Sequence, residues 1–133
     1  MDGLESMLAK GKDTFWGFLG CEFISGDGTE VKIALDAKEH HLNSMGIVHG
    51  GVLTSLMDQT MGMVATAAKN IDNVVTTNLN VHFLAPMKEG RLIVTAIVLH
   101  EAGRSLTLEA RIHDSEGTLG CISTGTFRVV VRG

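Results

Sequence analysis

Residues 50–69, GGVLTSLMDQTMGMVATAAK, run for twenty positions without proline, and past the opening glycine pair only Gly62 weakens a helix. Apolar side chains fall on nearly every side of the helical projection, the pattern of a buried helix and not of one with a wet face. Such a helix is about 30 Å long and its backbone leaves no polar stripe to turn outward. The rest of the chain must therefore wrap around it. One carboxylate, Asp58, lies inside the run among Leu53, Leu56, Met57, Met61 and Val64, where a charge serves neither packing nor helix propensity. A charge placed there against packing marks a candidate functional group.

Strand signals on both sides supply the wrapper. Residues 4–10 suit a short helix, and Phe15, Trp16, Phe18 and Leu19 form an apolar cluster expected at the mouth or edge of the domain. Residues 20–25 and 30–35 flank Gly26-Asp27-Gly28-Thr29, whose Asp-Gly signals a hairpin turn; residues 37–48 read as a loop. Residues 74–85 alternate, with Val75, Thr77, Leu79, Val81 and Phe83 on one side and Thr76, Asn78, Asn80 and His82 on the other, until Pro86 ends the strand. Residues 92–100, 105–113 and 119–131 read as three more strands, and their short connections predict that all four form an antiparallel meander. The expectation is one α+β domain over residues 1–133, a curved antiparallel sheet wrapped around a long central helix. At 133 residues it has room for a core without disulfides or metal.

A net charge of -4 with mixed signs offers no basic face, so nucleic acid is not an expected partner. The N-terminal residues Asp2, Glu5 and Lys10 interrupt any signal-like apolar stretch, and nothing approaches a bilayer span, so no membrane association and a cytoplasmic location are expected. Cys21 and Cys121 lie far apart with no zinc-type spacing and read as buried reduced thiols.

The chemistry concentrates in Asn43-x5-His49-Gly50-Gly51-x6-Asp58. Paired glycines allow close backbone approach to a ligand, and the first turn of a helix presents unpaired N–H groups with partial positive charge, able to hold a developing oxyanion. His40, His41 and His49 do not combine with Asp58 into a metal-ligand spacing, since adjacent side chains are expected to diverge; no metal is expected.

This order of elements, with Asn43, His49-Gly50-Gly51 and Asp58, resembles the hotdog-fold acyl-CoA thioesterases, in particular the phenylacetate-pathway (PaaI-like) branch. The resemblance extends from Phe15-Trp16-Gly17-Phe18-Leu19-Gly20 through His82-Phe83-Leu84-Ala85-Pro86 to Gly103-Arg104-Ser105. It implies a hotdog fold, and hydrolysis of an aryl or fatty acyl-CoA to a carboxylic acid and free coenzyme A, in homodimers or dimers of dimers. No cofactor is implied, because coenzyme A is part of the substrate. The resemblance also assigns coenzyme A contacts to Gly51, Asn78, Arg104 and Ser105, with Arg104 on a phosphate; by charge alone, Lys88 and Arg91 serve equally well.

Gly50 and Asp58 are eight residues apart, about 12 Å of rise and roughly a quarter turn on one helix, so a single thioester carbonyl cannot touch both. The expected site therefore joins Gly50 of one subunit to Asp58 of another, at a dimer interface. There the Gly50 N–H polarises the thioester oxygen, Asp58 acts as general base toward water or as nucleophile, and Asn43 orients the carbonyl or the water or caps its loop. Thr76 positions the water, with Thr77 as the alternative if the strand register slips by one, and His49 fixes the loop and lends positive character.

Two other readings share the scaffold, a non-catalytic acyl-CoA-binding module and a hotdog dehydratase or hydratase. The histidine motifs of the latter carry prolines, whereas Pro86 is the one proline here. An α/β-hydrolase is excluded by the missing Gly-x-Ser-x-Gly elbow and by chain length.

Overall fold

In chain order the elements are α1 (Gly3–Gly11), α2 (Phe15–Leu19), β1 (Glu22–Gly26), β2 (Glu30–Ala37), α3 (Gly50–Lys69), β3 (Val74–Phe83), β4 (Gly90–Ala102), β5 (Ser105–Asp114) and β6 (Leu119–Val129). They are seen in a computed structural model that describes residues 2–71 and 73–130. Helix α3 has the predicted bounds, and it packs against β2 to β6 of a single antiparallel sheet. Leu56, Met57, Met61 and Val64 are fully buried against Ile33, Val94, Leu108 and Ile112, each such side chain contributing about 1.5–3 kcal/mol by leaving water. Among the described residues, no helix is long and apolar enough to cross a membrane.

The hairpin forms as its turn predicts. Asp27 Oδ1 accepts from the Thr29 N–H (2.8 Å), the Thr29 hydroxyl (2.7 Å) and the Glu30 N–H (3.0 Å), closing the β1–β2 turn. Residues 37–48 are more ordered than a plain loop. A 3-10 turn, Glu39–His41, follows β2, and an isolated bridge joins Leu42 to Val48.

The expected four-strand meander is corrected by the sheet order β1-β2-β4-β5-β6-β3. Of those four strands β4, β5 and β6 are consecutive neighbours; β3 pairs with β6 at the far edge, and the chain then crosses back to place β4 beside β2. Alternation reports which face of a strand is buried but not which strand lies beside it. The crossover is held by backbone bonds from Leu84 and Ala85 N–H to the Gly120 carbonyl, and from Val48 N–H to the Met87 carbonyl. Met87 is buried, and a Cβ on Gly120 would collide with its sulfur, so the missing side chain is what lets the crossover pass.

A second correction concerns β3. Thr76 pairs with Phe127 and Asn78 with Thr126, which leaves Thr77 as an extra, bulged residue. Directly paired residues share a face, and Phe127, Gly125, Ser123 and Cys121 all point to the helix. Thr76, Leu79, Val81 and Phe83 therefore face α3. Val75, which simple alternation grouped with Leu79, turns outward and is 46% exposed.

Candidate active site

The N-terminus of α3 is built around His49. Its Nδ1 accepts from the Gly51 N–H at 2.8 Å, and its carbonyl accepts from the Val52 and Leu53 N–H groups. A Cβ on Gly51 would lie 3.0 Å from that ring nitrogen, so the second glycine gives the imidazole room to cap the helix. The cap uses an unprotonated Nδ1. The imidazole of His49 thus ties the loop to the first turn of α3 by accepting from Gly51. Among the described residues nothing accepts from the Gly50 N–H, which is left as the free donor of the first turn.

That donor borders a cavity of about 320 Å³ lined by Asn43, Val48, Leu53, Phe83, Pro86 and Met87. Asn43 takes the loop-capping role, its Oδ1 accepting from the N–H groups of Met45 (2.9 Å) and Ile47 (3.3 Å). Its amide nitrogen remains without an acceptor among the described residues. Phe83 lies against Gly50, its ring tip 3.3 Å from where a Cβ would stand, yet its side chain is 57% exposed. Sequence reasoning gave Phe83 and Met87 no place at the site; their positions beside Pro86, at the end of a strand, were the available signal.

Two turns further along α3, the Thr76 hydroxyl donates to Asp58 Oδ1 at 2.6 Å. Of the two threonines Thr76 reaches the carboxylate, whereas Thr77 donates to the Thr126 carbonyl. Within one chain the structure thus makes two half-sites, the Gly50 end and the Asp58–Thr76 pair, and does not bring them together.

Of the residues assigned to coenzyme A, Gly51 lies in the first turn of α3 and the others lie on the sheet. Asn78 faces away from the helix, its Oδ1 accepting from Asn80 at 2.7 Å. Arg104 and Ser105 sit at the β4–β5 turn, whose Gly103 carbonyl accepts from Lys69 at 2.8 Å while Lys69 also pairs with Glu101. Arg104 is exposed, its carbonyl accepting from Val129, which pairs with Val74 of β3. Arg91 is otherwise engaged: it donates to Glu22 (3.1 Å) and Asp36 (3.2 Å), and these bonds hold its guanidinium above its ordinary pKa. Lys88 lines a groove with Arg91 and the acidic Glu89, Asp114 and Glu116.

His41 is a further residue with a role the sequence did not reveal. It is buried, its Nδ1 accepting from the Lys38 N–H (2.9 Å) and its Nε2 donating to the Leu19 carbonyl (2.8 Å), while its own carbonyl accepts from the His49 N–H. It ties α2 to the loop that presents His49. Its ring lies 3.9 Å from that of His40, so the adjacent rings do not diverge as expected; both nitrogens of His41 are nevertheless occupied.

Comparison with known proteins fits this arrangement. Residues 45–121 match the thioesterase superfamily. The chain is 27% identical over 132 residues to the 1,4-dihydroxy-2-naphthoyl-CoA hydrolase of Escherichia coli, covering 96% of this chain and 94% of that one. A conserved protein of Pseudomonas aeruginosa is similar at 31% identity and a TM-score of 0.82, over 89% of this chain and 94% of its own. The PaaI protein from the phenylacetic acid degradation operon of Escherichia coli superposes with a TM-score of 0.87 at 21% identity, over 97% and 91% of the two chains. The six-stranded antiparallel sheet around α3 is the hotdog fold, and the chain belongs to the thioesterase superfamily.

Proposed function

We propose that the protein is an acyl-CoA thioesterase that releases a carboxylic acid and free coenzyme A from an aryl or fatty acyl-CoA in the cytoplasm. The observation that carries this reading is the Gly50 N–H, which has no acceptor among the described residues, at a helix start where the neighbouring Gly51 N–H is already capped. The two half-sites are completed by pairing two copies. Strand β3 favours this: it is a ten-residue edge with no Asp, Glu, Lys or Arg to block pairing, and Val75, Phe83 and Leu84 are exposed along it. The opposite edge, β1, is only five residues long, charged at Glu22 and broken by a bulge. In the homodimer, itself the unit of a dimer of dimers, Gly50 of one subunit faces Asp58 of the partner subunit.

In the reaction, the carboxylate of Asp58 takes a proton from water as the water oxygen adds to the thioester carbon. Negative charge on the carbonyl oxygen is held by the Gly50 N–H and helped by the free Asn43 amide. Collapse of the intermediate breaks the C–S bond, and the thiolate leaves and is protonated. The Thr76–Asp58 bond favours general base over nucleophile, because a hydroxyl donating to the carboxylate can still accept a hydrogen bond from the attacking water. Arg104, Ser105, Asn78 and Gly51 serve coenzyme A, and the named substrate of the Escherichia coli hydrolase supports a coenzyme A thioester as the substrate class.

The test is release of free thiol from a panel of aryl and straight-chain acyl-CoAs. Turnover that vanishes in Asp58→Asn upholds the proposal, and saturable binding with no turnover by the unaltered protein would replace it with a binding module. Mixing the inactive variants Asp58→Asn and Gly50→Pro tests the shared site. Half of randomly re-formed dimers are mixed and each has one intact site of two, so about a quarter of the activity returns; no recovery would place both groups in one subunit's site.

A further inference from the structure

Asn43 and the Gly50 N–H reach the same cavity from the two arms of one small hairpin. The His41 carbonyl accepts from the His49 N–H (2.9 Å), Leu42 bridges to Val48, and the Asn43 N–H donates to the Ile47 carbonyl (2.8 Å). Residues 41–49 are thereby closed on themselves and move as a unit. The peptide that carries the Gly50 N–H leaves the last residue of this unit. His49 is held at its N–H by His41 and at its carbonyl by Val52 and Leu53, so the direction of the Gly50 N–H depends on where His41 stands.

Among the described residues, two hydrogen bonds tie the hairpin to distant parts of the chain. On the outgoing arm the Val48 N–H donates to the Met87 carbonyl at 2.7 Å. On the incoming arm His41 Nε2 donates to the Leu19 carbonyl at 2.8 Å. One such bond leaves rotation about it free, whereas two on opposite arms fix an orientation. The Leu19 carbonyl suits this use, since it is the last of α2, where a helix leaves carbonyls without intrahelical donors, and His41 meets it away from water. By contrast, the bond from the Lys38 N–H to Nδ1 is local and orients the ring without placing it in the molecule.

We propose that His41 is a positioning residue: by fastening the 41–49 hairpin to α2, it aims the Gly50 N–H and the Asn43 amide at one point, the place of the thioester oxygen. The proposal rests on the thioesterase reading and adds to it a residue that touches neither substrate nor reacting atoms. Its effect belongs in kcat, because the groups it aims act on charge that develops in the transition state.

Two variants separate the tie to α2 from the packing of a buried side chain. The amide of His41→Gln reaches the place of Nε2 and keeps a donor for the Leu19 carbonyl, but loses the acceptor for the Lys38 N–H. His41→Asn puts its oxygen near the place of Nδ1, keeps the Lys38 acceptor and loses the donor to Leu19. Each leaves one backbone group unmet, so their thermal midpoints should fall by similar amounts. His41→Asn should lose about ten- to a hundredfold in kcat with KM within about twofold, and His41→Gln should stay within about threefold of the unaltered enzyme. Equal losses of kcat in the two variants, or a loss confined to KM, would overturn the proposal and leave the thioesterase reading standing. Gly50→Pro should also cost less kcat in the His41→Asn background than in the unaltered enzyme, whereas Thr76→Val should cost the same in both; a Gly50→Pro loss that simply multiplies would break the link to that donor.

Hydrogen exchange supplies an arm that needs neither turnover nor a folded variant. In the unaltered protein, in urea below the global transition, the His49 amide should lose protection together with the Gly20 and Cys21 amides that close α2. A His49 amide still protected after those have opened would show that the hairpin holds without α2, and would overturn the proposal. If no thioester is cleaved, the thioesterase reading fails, and this comparison still decides whether His41 couples the hairpin to α2.

Discussion

Thr76 reaches Asp58, at 2.6 Å, because Thr77 is a bulge. Without that extra residue the strand's alternation would turn Thr76 outward whenever Leu79 and Val81 face the helix. The irregularity re-aims one hydroxyl at one carboxylate, a use of bulges common beside active sites. Thr76→Val keeps the shape and β propensity but removes the hydroxyl, so kcat should fall roughly ten- to a hundredfold, the range for one hydrogen bond to a charged group. Thr76→Ser should retain most of the rate. Steady-state kinetics on the two variants decide it, and a Thr76→Val enzyme with full kcat would remove the hydroxyl from the mechanism.

The free Gly50 N–H can be tested without disturbing the helix. Proline is well accepted at the first helical position, where its missing N–H breaks no intrahelical bond. Gly50→Pro should lower kcat by about a hundred- to a thousandfold, the usual loss for one oxyanion donor, with the circular dichroism unchanged. Gly50→Ala is the control. It places a Cβ 3.3 Å from the Phe83 ring tip, which is exposed and free to yield, and it keeps the N–H. Equal losses in the two variants would mean that crowding, and not the donor, limits the reaction.

What the sequence made legible follows from local physics. The bounds of α3 come from its composition, the β1–β2 turn from Asp27-Gly28, and the site motif from a carboxylate in an apolar helix beside a glycine pair. Strand order did not follow, because β3 carries the same alternation whether it pairs with β4 or with β6. The outward turn of Val75 was hidden because no residue type announces the bulge at Thr77. The strut at His41 depends on α2 reaching the loop that precedes α3, a contact with the Leu19 carbonyl that has no local signature.

Among the basic residues first considered for coenzyme A, the structure separates Arg104 from Arg91. The side chain of Arg91 is held by Glu22 and Asp36, whereas Arg104 is exposed at a turn anchored by Lys69. Arg104→Ala should raise KM several-fold with little change in kcat, an effect that shrinks as salt is added, because a phosphate contact outside the reacting centre contributes uniform binding. Arg91→Ala should leave KM unchanged. A KM increase confined to Arg91→Ala would move the nucleotide to the opposite end of the sheet.

Both cysteines hold their protons unusually tightly. Burial pushes the Cys21 thiol from its ordinary 9.0 up to about 11, and burial does the same for Cys121 against a smaller opposing hydrogen bond from the Ile122 backbone. Because each folded thiol binds its proton more firmly than the unfolded one, their contribution to stability is fully present below the unfolded pKa. It is lost as the pH rises from about 9 to about 11, where the unfolded chain ionises first. The urea midpoint should therefore fall across that window, and less steeply in the double variant Cys21→Ala, Cys121→Ala; an identical slope would assign the loss to other groups. Since the thiolate is the reactive form, a disulfide reagent near pH 8 should label the native thiols slowly and the urea-unfolded ones at once. Immediate labelling of both in the native protein would contradict the burial of Cys121 on the helix-facing side of β6.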